Sequence, residues 1–136
     1  RVVHVAHAGR PGSLFDRAAE RGAFAAAVAP RPGEPVVEKR AVSAFHGTDL
    51  ADHLPAPGAA TLIVAGFMTH NCVSSTVRVA GDLGHAIVVA TDACATRALP
   101  GPGGTVVDAA TLNAASLSGL ADRFARLATV AEIVGA

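Results

Sequence analysis

Residues 61–91, "TLIVAGFMTHNCVSSTVRVAGDLGHAIVVAT", constrain the fold more than any other stretch of the chain. "TLIVAG" and "AIVVAT" are continuous apolar runs, the pattern of strands covered on both faces in a parallel sheet. Between them Val73, Val77 and Ala80 recur at helical spacing, and Arg78 and Asp82 are expected to pair at i,i+4 on the polar side. Gly84 stands where a C-terminal cap belongs. The stretch therefore reads as a βαβ unit with a right-handed crossover.

The flanking segments extend that unit. "RVVHVAHAG" and "PVVEKR" read as short strands, and residues 10–35 between them, rich in Gly, Pro and Arg, read mostly as an excursion loop. There "SLFDRAAERGAF" allows one helical turn or two. "GTDLADHL" reads as a brief helix with Thr48 as N-cap and Asp49 in its first turn, where the dipole favours a carboxylate. Beyond the breaker cluster "LPGPGG", "TVVDAATLNAASLSGLADRFA" carries apolar residues at helical spacing. "ARLAT" reads as a last strand and "VAEIV" as a short tail helix. This order implies an open α/β sheet.

Composition excludes several classes. The 136 residues suit one domain, 1–136, and 51% hydrophobic against 16% charged content argues against disorder. A net charge of zero leaves no electrostatic footprint for nucleic acid or an anionic membrane. No apolar run approaches the roughly 20 residues of a membrane span, and the N-terminus lacks the layout of a signal peptide. With only two cysteines, a disulfide-stapled secreted domain is not indicated, so a cytoplasmic location is the expectation. "GPGG" lacks the G-x-G-x-x-G spacing of a dinucleotide loop.

Cys72 falls just past the carboxyl end of "TLIVAG", at the expected helix start. Ligands of open α/β sheets bind beyond the carboxyl ends of the strands. Orphan amides and the helix dipole there stabilise an anion, so a thiol can have its pKa lowered from about 8.5 into the range of roughly 3.5 to 7.5. The same amides can hold the oxyanion formed when a thiolate attacks a carbonyl. From position alone two readings stand, a covalent nucleophile or a small buried hydrophobe. Cys94, in "TDACATR", follows a strand end without a clear helix behind it and reads as structural. A bridge between the two cysteines stays open. Asp92 reads as a cap on its local turn, and His70 as either a substrate contact or a solvated loop residue.

Beyond position, "GFMTHNCVSSTVR" followed by "AGDLGHAIVVATDACATR" resembles the signature of the isochorismatase-like cysteine hydrolases, which include nicotinamidases and N-carbamoylsarcosine amidases. "VVEKRAVSAFHGTDL" is similar to the segment that brings that family's catalytic lysine. The resemblance runs from Arg1 into the last long helix. It implies an open, mostly parallel, doubly wound sheet with helices on both faces, in three α/β/α layers. It also implies an Asp–Lys–Cys triad in which Cys72 is the nucleophile and Lys39 the lysine. A cis peptide at Phe67–Met68 and an oxyanion hole from the backbone amides of Met68 and Cys72 follow from the same likeness. His7, Phe45 and His70 are candidate substrate contacts. The expected activity is hydrolysis of a C–N bond in a small amide, lactam or ureide through an acyl-enzyme on Cys72. A homo-oligomer is expected by family analogy, with no cofactor. The alternative is a non-catalytic or thiol redox-sensing relative that uses the same fold for assembly.

Two departures qualify the likeness. The family's aspartate closes a central strand that precedes "VVHVAHAG", and this chain begins at Arg1 without that strand. The expectation is therefore an N-terminally incomplete domain, impaired as it stands unless another segment fills the gap. The nicotinamidase metal cluster of one Asp and two His is represented by His4 and His7 alone. At i,i+3 in a strand these face opposite ways, so no metal is expected.

Overall fold

The computed structural model describes residues 1–135. The chain divides into two compact units, Arg1–Pro55 and Ala56–Ala136.

In the first unit, strands β1 (His4–His7) and β2 (Val36–Lys39) pair in parallel, with His4 opposite Val36 and His7 opposite Lys39. Alternation along β2 sends Val37 and Lys39 inward and leaves Val36 and Glu38 exposed. Val37, Ala44 and Leu50 form a small buried cluster, against which Val3, Phe45 and Leu54 pack. The long connection between the strands holds two 3-10 turns, Glu20–Gly22 and Ala26–Val28, and neither buries a residue. Local side-chain bonds compete with a longer helix there. Asp16 accepts from the amides of Gly12 and Ala18, and the Arg17 guanidinium donates to the Gly22 carbonyl.

Helix α1 (Leu50–His53) starts one residue later than expected, with Asp49 at the N-cap making no side-chain cap bond. Thr48 still serves the turn. Its hydroxyl donates to the Ala44 carbonyl at 2.5 Å and accepts from the Leu50 amide at 3.3 Å.

The second unit contains the βαβ motif. Strand β3 (Thr61–Phe67) leads through a π-helical turn, Thr69–Val73, into helix α2 (Ser74–Asp82), and strand β4 (Ala86–Ala95) follows. The chain continues through a two-residue antiparallel ladder of β5 (Leu99–Pro100) and β6 (Val106–Val107). Helix α3 (Ala109–Ala121), strand β7 (Arg126–Ala128) and helix α4 (Val130–Val134) complete it. The three long-range strands lie in the order β3–β4–β7, all parallel.

Caps explain where the helices stop and start. At the end of α2, the His85 amide donates to Ala80 and the Gly84 amide to Gly81, a Schellman arrangement with Gly84 at φ 88°. Asp108 caps α3 by accepting from the Thr111 amide at 2.9 Å. Thr129 and Glu132 form a capping box on α4. Asp92 does not cap its own turn: its carboxylate accepts from the Val130 amide at 2.8 Å, at the first turn of α4.

Three expectations are corrected. β3 is not covered on both faces; its residues alternate between exposed and half-buried, with Ile63 59% and Phe67 75% exposed. Among the described residues β3 has one hydrogen-bonded neighbour, whereas β4 lies between two and buries Ile87 through Ala90. Arg78 does not turn to Asp82. Its guanidinium bonds Ser74 Oγ at 3.3 Å and the Gly119 carbonyl at 3.2 Å, and stacks over Phe124 at 4.6 Å, tying α2 to the end of α3. The same ring lies so close to α2 that a Cβ at Gly81 would meet Phe124 Cδ1 at 3.1 Å. Cys94, finally, lies within β4 and not beyond it.

Candidate active site

A nucleophile on a sheet needs a chain that leaves its strand abruptly, and the end of β3 provides such an exit. The β3–β4 register runs Val64 to Val89 and then Gly66 to Cys94, so β4 bulges where β3 ends. Gly66 sits at φ 125°, a region that L residues rarely adopt, and the Phe67–Met68 peptide that follows is cis, as the resemblance implied.

The turn then winds as a π-helix, closed by the Val73 amide donating to the Met68 carbonyl at 3.2 Å. Such turns are rare and recur at functional sites. Met68, His70 and Cys72 thus share one turn at the carboxyl end of a parallel strand, and Cys72 is half-buried. Helix α2 proper begins two residues past Cys72, so the thiol belongs to the π turn and not to the first α-helical turn.

Two ties hold this turn that the sequence reading did not assign. Thr69 is fully buried, and its hydroxyl donates to Asn113 Oδ1 on α3 at 2.6 Å. His70 Nδ1 is hydrogen-bonded to Thr96 Oγ1, just past β4. A signal for the first was available: Asn113 is the one amide side chain in an otherwise small or apolar helical run.

Cys94 differs from Cys72 in its burial. It is buried in β4, and both cysteines are thiols. Burial pushes the Cys94 thiol above its ordinary value, an effect the nearby Asp92 charge reinforces and the Gly66 amide partly offsets.

Lys39 and His7 belong to the first unit and meet there. They are register partners across β1 and β2, and Lys39 is only 4% exposed. Lys39 Nζ donates to the Ala41 carbonyl at 2.9 Å and lies 3.3 Å from His7 Nδ1. An ammonium has no lone pair to offer, so His7 Nδ1 is the acceptor and its ring proton sits on Nε2. Burial holds His7 below its ordinary value, and the charges of Lys39 and Arg40 add to that. His4 is engaged elsewhere, with Glu34 at 2.8 Å. Phe45 packs against the Val37 cluster, and its amide reaches Ser43 Oγ at 3.3 Å.

A family model described as the isochorismatase domain matches residues 1–132. The chain belongs to the isochorismatase family. It is 33% identical over 134 residues to the uncharacterised family protein YrdC of Bacillus subtilis, covering 98% of this chain and 72% of the relative. An isochorismatase structure from Pseudomonas putida superposes with a TM-score of 0.89 at 41% identity, over 96% of this chain and 66% of that one. The chain thus spans roughly two thirds of the length of such relatives. Two shorter matches carry names that state an activity. A streptothricin hydrolase of Streptomyces noursei is 36% identical over 99 residues, covering 73% of this chain and 36% of its own. A maleamate amidohydrolase of P. putida is 47% identical over 51 residues, covering 38% and 24%. The isochorismatase fold is thereby established as the α/β architecture of this chain. Among the described residues no helix is long and apolar enough to cross a membrane.

Proposed function

We propose that the protein is a cysteine-dependent hydrolase that cleaves a C–N bond in a small amide, lactam or ureide. The observation that carries this reading is the seat of Cys72, half-buried on a π turn at the carboxyl end of β3. Two relatives whose names denote a hydrolase and an amidohydrolase support it.

In this reading the Cys72 thiolate attacks the substrate carbonyl carbon. The carbonyl electron pair moves onto oxygen, and the backbone amides of Met68 and Cys72 receive that oxyanion. Collapse expels the amine, which takes up a proton, and leaves a thioester on Cys72. Water attacks the thioester through a second oxyanion, releasing the acid and restoring the thiol. Lys39 supplies the positive charge of the triad. In the family's pattern the triad's carboxylate comes from a strand ahead of the one that matches β1. His70, on the same turn, contacts substrate, and the substrates are small molecules hydrolysed in the cytoplasm.

The test is a screen of the whole protein against small amides, lactams and ureides, with Cys72→Ser and Lys39→Ala as controls. Each substitution is expected to lower kcat by about a thousandfold or more. Alkylation mapped by peptide mass should modify half-buried Cys72 faster than buried Cys94. Turnover that survives Cys72→Ser would sink the proposal.

A further inference from the structure

The turn that carries Cys72 is braced by the irregular end of β4, and the brace falls on His70. Between the pairs Val64–Val89 and Gly66–Cys94, β3 advances two residues while β4 advances five. The extra residues of β4 are pinned to the strand and helix beyond. Thr91 Oγ1 donates to the Ala128 carbonyl at 3.3 Å, and the Asp92 carboxylate accepts from the Val130 amide at 2.8 Å. Pairing resumes at Gly66–Cys94 and Phe67–Ala95, so Thr96 follows the last registered pair as Met68 does on the neighbouring strand. Bulges beside a site re-aim side chains. Here the side chain delivered is the Thr96 hydroxyl, which meets His70 Nδ1 on the π turn. Every one of these ties lies within the unit Ala56–Ala136.

A bond between Nδ1 and a hydroxyl admits two proton arrangements, and the surroundings choose between them. Among the described residues the Thr96 hydroxyl has no acceptor other than His70 Nδ1. Donation from the ring would leave the hydroxyl proton without a protein partner, whereas donation from the hydroxyl satisfies both half-buried groups. We propose that Thr96 is a positioning residue: its hydroxyl holds the neutral His70 ring in the tautomer protonated on Nε2, so that His70 meets substrate as a hydrogen-bond donor. The proposal deepens the hydrolase reading and rests on it for the substrate, whereas the tautomer rests on the turn alone. The bond made by one ring nitrogen decides what the other can offer. An Nε2–H pairs with an oxygen acceptor of the substrate and not with an N–H, which selects the group that stands opposite it. Valine at 96 would keep the branched shape and remove the hydroxyl, and serine would keep the hydroxyl.

The first measurement needs no substrate. The whole protein is labelled with nitrogen-15 in its histidine rings, and the His70 signals are assigned by their loss in His70→Asn. At a pH where the ring is neutral, wild type and Thr96→Ser should carry the proton on Nε2, and Thr96→Val should show a mixture of tautomers. A proton on Nδ1 in wild type, or an unchanged tautomer in a folded Thr96→Val, overturns the proposal whatever becomes of Cys72. The second measurement uses an amide that the whole protein hydrolyses. Thr96→Val should raise KM about three- to tenfold with kcat little changed, and Thr96→Ser should restore it. In a His70→Ala background Thr96→Val should add nothing, because Thr96 acts through His70. A loss that adds to that of His70→Ala, or that falls on kcat alone, overturns the positioning role. If no amide is hydrolysed, the hydrolase reading fails by that result, and the tautomer measurement still decides what Thr96 does to His70.

Discussion

The two compact units of this chain are organised by different forces. From Ala56 onward, apolar strands and helices bury Val77, Val89 and Leu120, and side chains cap α3 and α4 at their first turns, where amides would otherwise lack acceptors. Up to Pro55, two four-residue strands enclose a cluster of three buried hydrophobes, and much of the rest is arranged by polar ties. His4 to Glu34, Arg17 to Glu38 and Lys39 to Ala41 each fix a segment that burial alone would leave free. The apolar unit carries its half-buried thiol on a hydrogen-bonded turn, and the polar unit carries a buried lysine at a strand end.

The largest test of that contrast is core truncation. Leu120→Ala should cost about 2–5 kcal/mol in urea unfolding, because Leu120 is fully buried in the apolar unit. Val37→Ala, in the smaller cluster, should cost less, and equal losses would break the comparison. Next comes the anchor of the cysteine turn. Thr69→Val leaves Asn113 without the hydroxyl it accepts from and should cost about 1–3 kcal/mol, while Thr69→Ser should recover most of it. Cys72 alkylation rates should follow the same order, and rates unmoved by a folded Thr69→Val would separate the anchor from the thiol. Thr129→Ala, which opens the capping box of α4, should cost about 1 kcal/mol by the same unfolding assay.

The smallest effect belongs to the polar unit and to pH. Burial, then the charges of Lys39 and Arg40, hold folded His7 below its ordinary 6.5. As pH falls past 6.5 the unfolded chain takes up this proton before the folded one. Stability is therefore kept above that value and lost as pH falls towards the folded pKa, where the loss levels off. Urea midpoints measured across this window should fall less steeply in His7→Gln, and an unchanged slope would assign the titration to another group.

What could be read from the sequence follows the same division. The βαβ motif, the strands at "PVVEKR" and "ARLAT" and the tail helix were legible because burial imposes a period on side chains. The cis bond at Phe67–Met68 came only from family resemblance, since no periodicity encodes it. Arg78 was misread because i,i+4 spacing says which neighbours lie within reach, not that an aromatic ring from beyond α3 offers a better seat. β3 was expected to be covered on both faces because its composition is, yet coverage depends on neighbouring strands that composition does not name. At the candidate site the position of Cys72 just past β3 was legible from placement, whereas Lys39, buried at the end of β2, was singled out by the family likeness alone. The His70–Thr96 tie left no local pattern, because its partners lie far apart in sequence, and the Thr69–Asn113 tie left only the lone amide in α3 as a sign, with nothing to name its partner.

The contact of Gly81 with Phe124 has a consequence for how such a chain can vary. A methyl group at position 81 would press on the ring that Arg78 stacks against, so the ring must shift by a few tenths of an ångström under the guanidinium. A smaller residue at position 124 would admit the methyl but leave Arg78 with only its polar partners. Substitutions at 78, 81 and 124 are therefore coupled physically, each changing the room or the platform left to the other two.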